Sequence, residues 1–178
     1  MALFAERGYA DVTIAEIADR AGLTKRSFFN HFADKREVLF AGAKDFQESV
    51  LTHLAEAADD LEPIDAAVLA LTSAGLELAG YAEYARARYD LIASATELRE
   101  RDLIKMASLA AAIAEALCRR GVPPRIATFT AEVAVAVFTA AYADWVTAGT
   151  ADLEILMRRS LADLRQAVGH TQSCIGGN

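Results

Sequence analysis

Between Leu23 and Ala33 the chain carries Thr24, Lys25, Arg26, Ser27, Phe29, Asn30 and His31, and no carboxylate; Lys35 follows two residues later. The polar members of this set are hydrogen-bond donors and planar groups. Their chemistry is that of gripping phosphate oxygens and reading base edges, not of cleaving a bond. Phe28 and Phe32 recur four residues apart, so on a helix they share the opposite side and can anchor it to a core. Lys35 falls where the next helix begins, a position at which the macrodipole disfavours a cation. A phosphate partner would explain it.

Such a segment needs a rigid support, and the residues before it supply one. Thr13 is a helix cap, and Glu16 three positions on completes a capping box. Val12 and Ile17 are spaced as a hydrophobic staple, while Ile14, Ile17, Ala18 and Ala21 share a face. Gly22 then provides the left-handed backbone of a sharp helix end, and Thr24 opens a second helix with Leu23 and Phe28 as its staple. Helix, tight turn and helix, with the donors on the second, is the layout of a helix-turn-helix that enters the major groove.

Composition alone points away from nucleic acid, because the net charge is −7. Its distribution removes the objection. Residues 22–36 carry +3, whereas residues 46–178 hold 11 basic and 18 acidic side chains. A small basic head on an acidic body would dock on DNA by the head alone.

The stretch AERGYADVTIAEIADRAGLTKRSFFNHFADKREVL resembles the DNA-binding domain of the TetR family of transcriptional repressors, with Leu23 to Phe32, Lys35 and Leu39 similar to its recognition helix and the start of its long fourth helix. The resemblance implies an all-α fold: a three-helix DNA-binding domain over 1–44, starting within the family's first helix, and a helical effector-binding and dimerisation domain over 45–178. By resemblance Lys25, His31 and Lys35 match positions that touch DNA, and Thr13, Thr24, Arg26, Ser27, Phe29 and Asn30 complete the expected contact set. Two residues depart from the family pattern. Arg26 stands where a small residue is common and can reach a guanine. Phe29 stands where Tyr is usual, so the hydroxyl is missing and only apolar contact remains.

The body reads as helical throughout: 54% of residues are apolar, with 3 Pro and 10 Gly. One long helix is expected from Lys35 to about Ala58, then helices to about Ala79, over Tyr81–Ala95, and over Leu98–Arg120, ended by Gly121-Val122-Pro123-Pro124. The helix over Arg125–Thr147 is apolar on two faces. Ile126, Phe129, Val133 and Val137 form one face; Ala131, Val135, Phe138, Tyr142 and Trp145 form the other. A helix apolar on both sides needs two burial partners. The second face, with Leu153, Met157, Leu161 and Leu164 of the last helix, is assigned to a homodimer, as the resemblance implies. Tyr84, Arg88 and Tyr89, with Phe129 and Val133, are candidates for the pocket of a largely apolar small-molecule effector. A small polar tail is expected from Gly169 to Asn178.

Other chemistries find little support. His31 has no second ligand at helical spacing, so no metal site is expected; His53 reads as a solvated helix residue. Arg86, Arg88, Arg99 and Arg101 alternate with Glu83, Asp90, Glu97, Glu100 and Asp102, the pattern of a salt-bridged surface. Two cysteines, Cys118 and Cys174, suit reduced thiols. Neither a phosphate-binding glycine loop, nor a zinc-protease motif, nor a nucleophile elbow is present, so no enzyme and no cofactor is expected. Lacking a long uncharged apolar run and a basic leader, the chain is expected to be cytoplasmic. The reading is a ligand-responsive repressor that binds operator DNA as a homodimer. The alternative is an all-α ligand-binding or protein-interaction module that no longer reads DNA.

Overall fold

The computed structural model describes residues 2–149 and 152–169, and these are all-α. His170, Cys174 and the expected tail beyond Gly169 lie outside the described residues. Helices α1 (Ala2–Arg7), α2 (Ile14–Arg20) and α3 (Lys25–His31) form the head. The long helix expected from Lys35 is instead broken. A short 3-10 helix spans Arg36–Phe40, and α4 (Ala43–Glu56) starts only after Gly42. Asp34 tightens that entry: its carboxylate accepts from the backbone of Arg36 at 2.8 Å and pairs with the Arg36 guanidinium.

The body follows with α5 (Pro63–Glu77), a 3-10 turn at Ala79–Tyr81, α6 (Ala82–Ser94), α7 (Thr96–Arg119), α8 (Pro124–Ala148) and α9 (Leu153–Gly169). Pro63 and Pro124 sit in first turns, where a missing N–H is no loss. Helix α7 stops as expected: Gly121 takes φ +90°, and the Val122 N–H returns to the Leu117 carbonyl at 3.1 Å.

Helix α8 is the axis of the body. By length and composition it could cross a membrane, its most apolar window having a mean hydropathy of 1.6. Here α5, α7 and α9 pack around it. Its buried face is Ala127, Ala131, Ala134, Val135, Val137, Phe138, Ala141, Trp145 and Val146. The small residues let neighbours approach closely. Across from them Gly75 has the same use, since a Cβ there would lie 2.9 Å from the Leu153 side chain and 3.2 Å from the Phe138 ring.

This corrects the expected dimer face. Val135, Phe138, Trp145, Leu153, Met157 and Leu161 are all buried within one chain, and Tyr142 and Leu164 pack against the same core. Of the other face Val137 is buried too, and Ile126 and Phe129 are left outside. Phe129 is 66% exposed, and Val133, Ala136 and Ala140 continue its line along α8. Both faces are apolar, so periodicity alone does not tell which one the chain covers.

Candidate nucleic-acid interface

The turn between α2 and α3 is built as its residues require. The Thr13 hydroxyl accepts from the Glu16 N–H at 3.3 Å, and the Glu16 carboxylate accepts from the Thr13 N–H at 2.8 Å. The Thr13 N–H and the Thr13 hydroxyl both donate to the Glu16 carboxylate and, with Arg7 alongside, hold its pKa down at about 2. At the far end of α2, Gly22 has φ +67°, and the Leu23 N–H closes back on the Ala18 carbonyl at 2.8 Å. Thr24 caps α3, accepting from the Ser27 N–H at 3.1 Å, with the two hydroxyls 2.9 Å apart. Phe28 is buried and stacks on Phe32 at 5.3 Å. These contacts fix the rotation of α3 and leave Lys25, Arg26, Phe29, Asn30 and His31 facing outward.

The expected contact set therefore separates into two groups. Lys25, Arg26, Asn30 and His31 have no hydrogen-bond partner among the described residues and present their polar groups to solvent. Thr13, Thr24 and Ser27 spend their hydroxyls on caps.

Lys35 also turns inward, which corrects the phosphate reading of it. Its ammonium donates to the carbonyls of Tyr9 at 2.7 Å and Val12 at 2.9 Å, and sits 4.1 Å from the centre of the Tyr9 ring. A cation is stable at that helix start because these carbonyls, not a phosphate, receive it. Tyr9 is itself buried, which, with Glu97 and Asp34 nearby, pushes its phenol up to about 12.

The head does not stand free of the body. Phe4, Tyr9, Val12, Leu39 and Phe40 share one apolar cluster with Ile92 of α6 and Leu98 of α7. A polar joint surrounds it. Glu37 accepts from Arg101 at 2.6 Å and from Lys105 at 3.2 Å, and both cations hold its carboxyl below the ordinary range. Arg88 donates to the Leu39 carbonyl at 2.8 Å, pairs with Asp102 at 3.4 Å and lies 5.0 Å from the Phe40 ring centre. It also lies beside the Tyr142 phenol, whose pKa burial raises and Arg88 opposes. Sequence reading missed this joint. Its partners are 64 and 68 residues apart for Glu37 and 49 for Arg88, beyond the reach of any local pattern.

Arg88 is thus a connector rather than a pocket lining. Tyr89 packs on Tyr142 at 6.5 Å, and Tyr84 is 48% exposed. A groove of about 640 Å³, open to solvent, runs between α7 and α8, lined by Ala107, Ala110, Ala111, Ala114, Glu115, Cys118, Arg119, Pro124, Thr128 and Glu132. None of the five expected effector-binding residues lines it.

Two family models match the sequence. Residues 1–41 match bacterial regulatory proteins of the tetR family, and residues 61–169, more than half of the chain, match the MftR C-terminal domain. The chain belongs to the TetR family. It is a TetR-family transcriptional regulator with a helix-turn-helix head. Its fold is also similar to the crystal structure of a transcriptional regulator (TerR/AcrR family) from Aquifex aeolicus VF5, over 93% of each chain with a TM-score of 0.51 and 16% identity. That likeness concerns the fold alone. No curated protein matches the sequence.

Proposed function

We propose that this TetR-family regulator is a repressor that binds operator DNA as a homodimer and is released by a small-molecule effector. The observation that carries the reading is α3: a helix capped by Thr24 and pinned by Phe28, offering Lys25, Arg26, Asn30 and His31 to solvent with no hydrogen-bond partner among the described residues. Arg26 and Asn30, four apart, lie at the centre of the outward arc and suit base edges. Lys25 and His31 lie toward its flanks and suit phosphates.

The dimer reading rests on the outer face of α8, lined by Phe129, Val133, Ala136 and Ala140, and on Ile155 of α9, which is also exposed. Two copies would cover this surface by two-fold packing and set two heads on one face of the duplex. The effector reading rests on the joint. A ligand that shifts α6 carries Arg88 and so moves the 3-10 segment through the Leu39 carbonyl. To cut operator affinity ~100-fold it needs about 2.7 kcal/mol of preference for the shifted state.

Selection of duplexes from a random pool tests the reading. Enrichment of an inverted repeat, its half-sites about one helical turn apart or a multiple of that, supports it. No enrichment at low salt would favour a module that has lost DNA reading.

A further inference from the structure

We infer that Phe29 reads the C5 methyl group of a pyrimidine in the major groove, so that thymine or 5-methylcytosine is favoured at one position of each half-site. The inference rests on the DNA-binding reading above and adds a residue and a chemical group to it.

Phe29 is half exposed on the outward arc of α3. It lies one turn after Lys25 and three residues after Arg26, so the ring stands between the two cations. Both have their donors free among the described residues. Phe28 supports the ring edge-on, with centroids 5.6 Å apart and planes at 89°. Because Phe28 is buried, that support is fixed, and Phe29 is held outward instead of folding back on the head.

A phenyl ring here can neither donate to a phosphate nor accept from a base amine. What it offers is apolar surface. Among the groups that base edges present in the major groove, the apolar one is the C5 methyl of thymine, and cytosine gains the same group on methylation. As Lys25 and Arg26 engage phosphate and guanine on either side, the ring between them is carried against the base edges. Burial of one methyl group against it corresponds to about fourfold in affinity per half-site, equivalent to ~0.8 kcal/mol.

The test uses the full chain and the duplex that selection recovers. Each thymine of the half-site is replaced in turn by uracil, which deletes only the methyl, and each cytosine by 5-methylcytosine. Wild-type protein should lose about fourfold at one thymine, or gain about fourfold at one methylated cytosine. Phe29→Ala should bind more weakly and no longer distinguish the two forms at that position. Phe29→Tyr, which keeps the ring, should still distinguish them. Equal binding of every methylated and unmethylated pair by the wild type would overturn the inference, as would undiminished discrimination by Phe29→Ala. If no duplex is recovered at all, the DNA-binding reading falls and takes this inference with it; if a duplex is recovered but the methyl is ignored, only this inference falls.

Discussion

Replacing Lys35 by Met removes its ammonium and keeps most of its stem. Two charge-assisted hydrogen bonds are lost, to the carbonyls of Tyr9 and Val12, together with the contact over the Tyr9 ring. Hydrogen bonds to charged groups are worth ~1.5–3 kcal/mol each when buried, and an exposed cation–π contact ~0.5–1. Lys35 is only half-buried, so water can replace part of this, and the expected cost is about 2 kcal/mol of stability. The loop between α1 and α2 loses its tether to the 3-10 segment, so the head should loosen first. The comparison is Lys25→Ala. Lys25 is exposed and has no partner among the described residues, so that change should stay within about 0.5 kcal/mol in stability while removing one proposed phosphate contact. Urea denaturation followed by circular dichroism, and a salt series of DNA binding on both variants, separate the roles. Lys35→Met should lower the urea midpoint and leave the salt slope of the folded protein unchanged; Lys25→Ala should do the reverse. A Lys35→Met protein of wild-type stability with a flattened salt slope would refute the inward placement and restore the phosphate role.

Three further outcomes follow from the same contacts. Burial, with Glu97 and Asp34 nearby, raises the Tyr9 phenol from its ordinary 10.0 to about 12 in the folded chain. The folded state therefore holds a proton that the unfolded state releases between those values. This contribution is fully present below pH 10 and fades as the pH rises toward 12, and Tyr9→Phe should remove that alkaline slope in urea midpoints. Glu37 titrates below its ordinary 4.5, so its bonds to Arg101 and Lys105 stabilise above that pH and are lost as the pH falls through the lowered value. Glu37→Gln should cost about 1 kcal/mol at neutral pH and flatten the acid limb of the same measurement. On α8, Phe129→Glu should separate the proposed dimer while the monomer stays folded, whereas Phe138→Glu places a charge in the core and should cost ~3 kcal/mol or more. Sedimentation and thermal melts would show it, and a dimer intact in Phe129→Glu would move the interface elsewhere.

What could be read from the sequence was local. The Thr13–Glu16 box, the Gly22 turn, the Thr24 cap and the Gly121 stop each depend on residues within five positions, and each forms as its spacing implies. Two misreadings arose where a distant partner decided. The macrodipole does disfavour a cation at Lys35, but the compensating oxygens come from residues 26 and 23 positions earlier. On α8, hydrophobicity found both faces without ranking them. The inner one is dense in alanine, Ala127, Ala131, Ala134 and Ala141 being fully buried, because three helices must approach there. The larger Phe129 and Ile126 remain outside. The break at Gly42 was missed because one glycine costs a helix only ~1 kcal/mol, too little to mark an end by itself.

The central proposal is that α3 grips DNA through side chains that have no partner among the described residues. Its most direct test is the salt dependence of binding to the selected duplex, by fluorescence anisotropy, for wild type and Lys25→Ala. Log affinity should fall linearly with log salt, and each phosphate contact removed should lower the slope by about 1, with affinity lost alike on specific and random DNA. A wild-type affinity indifferent to salt, or a Lys25→Ala protein with an unchanged slope, would contradict the account.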